Sequence, residues 1–266
     1  MILDRIAKAT KTRVERAREG LPPEQLKNII YQNGTLQSFH GRPAGAFEAA
    51  LRKEGMSFIC EVKKASPSKG IISEEFPYLQ IAAEYEQGGA DAISVLTEPD
   101  YFLGRTEYLE AVSRKAGIPV LRKDFILDEY QLYEAKRIGA DAVLLICTLL
   151  GETALRQYLD LCRELKLSAL VEAHTEDEVL MAIGAGAGII GVNNRNLNTF
   201  EVDLTTSIRL RRLVPEDIIF VAESGIQTSE DIRKLREAGI DAVLIGETLM
   251  RSADKREELN RLKGLI

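Results

Sequence analysis

A chain of 266 residues with 35 basic and 41 acidic side chains, a formal net charge of −6 and 45% hydrophobic residues carries enough apolar material for a substantial core, which excludes wholesale disorder. At about 150 residues per domain it falls between one and two domains, a length that single α/β barrels commonly reach. The acidic balance argues against a reader of nucleic-acid phosphates, and no uncharged apolar run approaches the roughly 18 residues of a bilayer span.

In chain order, the first twenty residues carry charges every three or four positions, so they are not read as a signal peptide. Leu3, Ile6, Val14, Ala17 and Leu21 share one helical face that ends at Gly20-Leu21-Pro22-Pro23. A second short helix is expected to carry Leu26, Ile29 and Ile30, and a third Phe47 and Leu51. These helices are too small to hold a core alone. Residues 1–50 are therefore expected to pack as a helical extension on a barrel formed by 56–266, the whole 1–266 being a single domain.

From here the chain repeats itself. Gly-Ala-Asp-Ala begins at Gly89 and again at Gly139, and Gly-Ile-Asp-Ala at Gly239, each followed by an aliphatic run; a weaker copy is expected near Gly188. A small-residue turn before a short β-branched and aliphatic run is the pattern of a buried parallel strand. Further strands are expected at 58–63, 118–123, 167–172 and 218–223, making eight, spaced roughly 20 to 35 residues apart. The intervening segments 79–87, 128–138 and 228–238 have apolar residues three and four apart, as helices do. Ser229 and Asp231 are expected to cap the last of these, and Gly239 to stop it. Eight alternating units with right-handed crossovers close into an α/β fold, the parallel (β/α)8 TIM barrel. The alternative doubly wound sheet lacks a glycine-rich fingerprint after its first strand.

In such barrels the chemistry sits where the strands end. The odd strands end in Glu61-Val62-Lys63, Lys123, Glu172 and Glu223, the even ones in Thr97, Thr148, Asn193 and Gly246. Alternation puts Ile59, Glu61 and Lys63 on one face, so carboxylates and ammonium groups are expected to converge on one rim. Gathering several charges costs several kcal/mol unless a site uses them. Ser224-Gly225 after strand seven and Gly246-Glu247 after strand eight stand where barrels hold phosphates, with Ser66 in the loop after strand one as a further donor. The polar run Asn193-Asn194-Arg195-Asn196 is suited to orienting a polar or anionic substrate, with Arg195 its cation. His174, two residues beyond Glu172, is a weaker candidate for acid-base work, a lone histidine being more often structural, and Cys147 is read as a buried small residue. Three cysteines (Cys60, Cys147, Cys162) without a CxxC pair suit a reducing compartment, and two histidines, His40 and His174, are too few for a histidine-rich metal site.

These residues fall into motifs. Cys60-Glu61-Val62-Lys63-Lys64-Ala65-Ser66-Pro67-Ser68-Lys69-Gly70 resembles the first-strand signature of indole-3-glycerol phosphate synthases. Leu121-Arg122-Lys123-Asp124-Phe125, Leu170-Val171-Glu172-Ala173-His174 and Gly191-Val192-Asn193-Asn194-Arg195-Asn196-Leu197 follow in the family's order, then Ala222-Glu223-Ser224-Gly225-Ile226 and Gly246-Glu247-Thr248-Leu249-Met250. The resemblance covers essentially the whole chain. Two residues depart from it: Ala173, where a larger aliphatic is expected, and Glu247, where some members carry Ser.

The resemblance implies closure of 1-(2-carboxyphenylamino)-1-deoxyribulose 5-phosphate to indole-3-glycerol phosphate, with release of carbon dioxide and water, without cofactor or metal. By resemblance Lys123 is the general acid, Lys63 pairs with the anthranilate carboxylate and is the alternative acid, and Glu172 serves the dehydration. Glu61, Asn193 and Glu223 would hold lysines and ribulose hydroxyls; Ser66, Ser224, Gly225, Gly246 and Glu247 would bind phosphate. The expected partner is this sugar-phosphate/anthranilate small molecule, with no nucleic acid or membrane, for a monomer in the cytoplasm. An acid working near neutrality gains from a lowered lysine pKa, which a neighbouring lysine favours and carboxylates oppose. The rival enzyme class is a Schiff-base lyase using Lys63 or Lys123 as nucleophile.

Overall fold

The computed structural model describes residues 2–32, 38–39, 41–196 and 199–266; His40 and Leu197 lie outside them. Eight parallel strands form a closed barrel: β1 (Ser57–Val62), β2 (Ala92–Leu96), β3 (Val120–Lys123), β4 (Ala142–Ile146), β5 (Ser168–Ala173), β6 (Ile189–Asn193), β7 (Ile219–Glu223) and β8 (Ala242–Ile245). Each pairs with its sequence neighbours, and β8 closes on β1 with Leu244 beside Ile59 and Ile245 beside Cys60. The expected barrel is therefore the observed one.

Both faces of these strands are covered, which is why they read as unbroken apolar runs. Inward residues such as Ile59, Ala92, Leu121, Leu170, Ile189 and Val221 fill the barrel together with Phe47 and Leu51. The last two come from the helix Ala46–Leu51, whose Ala50 carbonyl accepts the Ser57 hydroxyl at 3.3 Å, so this helix plugs the end where the strands begin. Outward residues, among them Phe58, Cys60, Ile93 and Val95, meet the helical shell.

The repeat has a physical meaning. Asp91, Asp141 and Asp241 each accept a backbone N–H from the first or second residue of the preceding strand, at Phe58 (2.8 Å), Val120 (2.8 Å) and Phe220 (2.7 Å). Gly89, Gly139 and Gly239 have φ of 77°, 87° and 77°, the left-handed region that ends each helix. The fourth copy begins at Gly186 (φ 86°), two residues before the expected Gly188, which stands where the others have Asp. Here the Gly188 carbonyl accepts Ile219 N–H at 3.1 Å.

Three expectations are corrected in detail. The helix Ser229–Glu237 is capped by Thr228, which forms a reciprocal box with Asp231, and not by Ser229. Ile29 is 37% exposed, because Leu26 and Ile30, one turn apart, already occupy the buried stripe of Pro23–Gln32. Thr148 lies beyond β4, in the first turn of the helix Cys147–Glu164. The helix Ile2–Gly20 buries Leu3, Ile6, Thr10 and Val14 against the barrel's shell, and all three cysteines are free and buried.

Candidate active site

Strand alternation aims Glu61, Lys123, Glu172 and Glu223 inward above the layer of Ile59, Leu121, Leu170 and Val221. Register completes the ring: Asn193 sits beside Glu223, and Gly191 beside Glu172. Lys123 Nζ lies 3.1 Å from Glu172 Oε2 and 3.2 Å from Glu223 Oε2. Asn193 Nδ2 donates to Glu172 Oε1 at 3.3 Å, and Lys63 is paired with Glu61. Glycine makes room for these carboxylates. A Cβ on Gly191 would lie 2.3 Å from Glu223 Oε1, and one on Gly246 would lie 2.4 Å from Glu61 Oε1 and 2.8 Å from Lys63 Nζ.

Distances decide the sign that the sequence left open. Burial, the largest influence on Lys123, pulls its pKa down, but Glu172, Glu223 and Glu61 together raise it, so the side chain is firmly an ammonium. Burial likewise works to raise Glu172, yet Lys123, His174 and Asn193 lower it on balance. Glu223 is pushed up to about 7 by burial, with Lys123 opposing and Glu172 adding to the rise. The result is a charged acid and a charged base in contact, beside a carboxyl poised near neutrality.

The expected phosphate residues lie on the same rim. Ser66 opens a two-stranded hairpin with Gly70 after β1. Ser224 and Gly225 follow β7 with φ of 67° and 85°, and a Cβ on Gly225 would lie 2.3 Å from Val202 Cγ1, so glycine is required there. Gly246 precedes the short helix Glu247–Arg251. The Glu247 carboxylate reaches Lys69 Nζ at 3.4 Å, Arg195 Nη2 at 3.7 Å and Arg251 Nε at 3.1 Å. Arg195 is set by its backbone N–H on Asn193 Oδ1 (3.0 Å) and a bridge to Val202. Asn194 instead turns away and ties this loop to the Ser224 carbonyl at 3.2 Å.

Sequence reasoning missed two residues here. Lys69 stands inside the first motif, between Ser68 and Gly70, and its charge was the available signal. Glu178 comes four residues after His174 and reaches it across the strand-to-helix junction. Behind Lys123 the outward Arg122 is buried on Thr97, Asp124 and Glu134. Arg13 of the N-terminal helix joins this cluster, 2.8 Å from Asp124 Oδ1 and 3.3 Å from Glu98 Oε1, beside a cavity of about 260 Å³.

The profile of the family described as Indole-3-glycerol phosphate synthase matches residues 3–262. The chain belongs to the indole-3-glycerol phosphate synthase family. An indole-3-glycerol phosphate synthase of Ruminiclostridium cellulolyticum is 56% identical over 264 residues, covering 99% of both chains. One from Lachnoclostridium phytofermentans is 51% identical over 271 residues, covering all of both. A solved 3-hexulose-6-phosphate synthase from Salmonella typhimurium superposes with a TM-score of 0.63 at 16% identity, over 79% of this chain and 98% of that one, a likeness of fold alone. Among the described residues no helix is long and apolar enough to cross a membrane, and no group of three or more His, Cys, Asp and Glu could hold a metal ion.

Proposed function

We propose that this chain is a carboxy-lyase of tryptophan biosynthesis that closes 1-(2-carboxyphenylamino)-1-deoxyribulose 5-phosphate to indole-3-glycerol phosphate, carbon dioxide and water. The observation that carries the reading is the Lys123 ammonium between Glu172 and Glu223, in a chain about half identical to proteins of that name over their whole length.

Ring closure needs a proton for the ketone oxygen as it becomes an alkoxide. Lys123, kept charged by three carboxylates, is suited to give it. Lys63 takes the anthranilate carboxylate in place of part of its pairing with Glu61, steering the ring carbon onto the ketone until carbon dioxide leaves. Glu172, held ionised, removes the proton for dehydration. Asn193 fixes Glu172, and Glu61 and Glu223 hold the lysines and the ribulose hydroxyls; Glu223 Oε1 is buried without a hydrogen-bond partner among the described residues and is open to a hydroxyl. Ser66, Ser224, Gly225, Gly246 and Glu247 bind phosphate, mainly through backbone N–H groups at the last three. Arg195 and Lys69 turn from Glu247 toward the phosphate.

A Schiff-base lyase needs a neutral lysine, and the carboxylates around Lys123 oppose that state. Extension and barrel are read as one domain, acting as a monomer on a soluble small molecule in the cytoplasm. The test is to incubate the purified protein with the carboxyphenylamino-deoxyribulose ester and follow indole fluorescence. Product supports the reading. No product, or a borohydride-trapped lysine adduct, refutes it.

A further inference from the structure

The reaction proposed above consumes a proton. The substrate brings an ionised carboxylate that departs as neutral carbon dioxide, and the former ketone oxygen departs as water. Two protons are given to that oxygen, and one is recovered by the base, so one must enter from solvent in each turnover. The groups that need it are shielded: the side chains of Lys123 and Glu172 are 13% and 4% exposed, before substrate covers them.

Polar groups within ion-pair distance lead outward from this pair, the two ring nitrogens of His174 lying buried between carboxylates without a hydrogen bond among the described residues, so that a small turn of the ring completes each contact. Glu172 Oε2 is 3.1 Å from Lys123 Nζ, and Glu172 Oε1 is 3.3 Å from His174 Nε2. His174 Nδ1 is 3.4 Å from Glu178 Oε2, and that same oxygen accepts the His174 backbone N–H at 2.7 Å, which fixes the two residues against each other. Glu178 Oε1 accepts the hydroxyl of Thr148, an exposed residue, at 2.6 Å. An imidazole set between two carboxylates can hold a proton at each nitrogen and release either.

We propose that His174 and Glu178 form the inlet through which a solvent proton reaches Glu172 and, through it, Lys123. The proposal rests on the function assigned above. In the transfer, the Nε2–H bond of the imidazolium breaks and an O–H bond forms on Glu172 Oε1; the carboxyl then turns over, that O–H bond breaks, and the proton passes to the Lys123 amine left after ring closure. Solvent at Glu178 then reprotonates the imidazole, with its ring turned over. Burial acts to lower the His174 pKa, but Glu178 on the following helix, Glu172 on its own strand and Glu223 across the barrel raise it on balance, favouring the imidazolium. The other facing groups do not compete. Lys123 lies beyond Glu172, and the Cys147 thiol, 3.6 Å from the Glu178 carbonyl, is pushed up to about 12 by burial and by the two glutamates.

The experiment compares His174→Gln and Glu178→Gln with the parent chain by steady-state kinetics at several concentrations of added imidazole. Each variant should lose about tenfold or more in kcat with KM changed less than about twofold, and imidazole should restore kcat in a saturable way while leaving the parent unaffected. Unchanged kcat in both variants overturns the proposal. A loss that imidazole does not restore also overturns it, since that is how a packing role would behave. Glu178 lies at the rim, so if His174→Gln fails to fold, Glu178→Gln decides alone by the same two criteria. A parent chain that makes no product refutes the assigned function instead, and is recognised before any variant is compared.

Discussion

Replacing Lys123 by Met keeps an unbranched side chain one atom shorter and removes its charge, and the structure indicates how much is lost. At an effective dielectric constant of about 20, the contact of about 3 Å with ionised Glu172 represents roughly 5 kcal/mol of raw attraction, and that with Glu223 reaches the same size only as its carboxyl ionises, much of it offset by the desolvation of the ions. Loss of the general acid alone costs about 10²–10⁴-fold, or about 3–5 kcal/mol of transition-state stabilisation. A second loss follows, because Lys123 is the main cation that keeps Glu172 ionised. Without it, burial favours the protonated acid and the dehydration base is weakened. The two effects together put the fall in kcat at about 10⁴-fold, the upper end of that range, with substrate affinity within a few-fold because Lys63 and the phosphate loops remain. Indole fluorescence measures the rate, and calorimetric titration with indole-3-glycerol phosphate measures binding. A variant that turns over within about tenfold of the parent would refute Lys123 as the acid.

Three further outcomes are expected. Glu172→Gln should accumulate a ring-closed, decarboxylated intermediate one water heavier than the product, detectable by mass spectrometry after acid quench; unchanged turnover without the intermediate would remove Glu172 from dehydration. The Glu223 carboxyl is raised from 4.5 to about 7, so the folded state retains a proton that the unfolded state has lost, and its contribution to stability declines as pH rises through that window; Glu223→Gln should flatten this part of the pH–stability profile in urea titrations, and an unaltered slope would contradict the assignment. Gly246→Ala would bring a methyl group to 2.4 Å from Glu61 Oε1, displacing side-chain ends rather than backbone; kcat/KM should drop by about 10²-fold with little change in melting temperature, and parental kinetics would show that the pair tolerates displacement.

The barrel was legible because its signals are local. Each Gly-Ala-Asp-Ala copy holds a helix stop, an aspartate that fastens the preceding strand and the first residues of the next. The weak copy at Gly186 was misplaced because Gly188 lacks that aspartate. Convergence of Glu61, Lys123, Glu172 and Glu223 could be expected from alternation, since a period of two fixes the face once one residue is inward. The sign of the Lys123 shift could not, because it depends on whether carboxylates or the other lysine come closer. The His174–Glu178 pair was illegible for another reason: it bridges a strand end and a helix start, where no single periodicity applies.

Arg13 meets Glu98 and Asp124 at sequence separations of 85 and 111 residues. During synthesis the first helix therefore emerges long before its anchors. At about 5–20 residues per second it waits on the order of 10 s for Asp124, with the stripe of Leu3, Ile6 and Val14 still unburied. A segment made well before its anchors is seated late, and for that interval the nascent chain presents a sticky amphipathic helix to whatever chaperone or neighbouring polysome it meets.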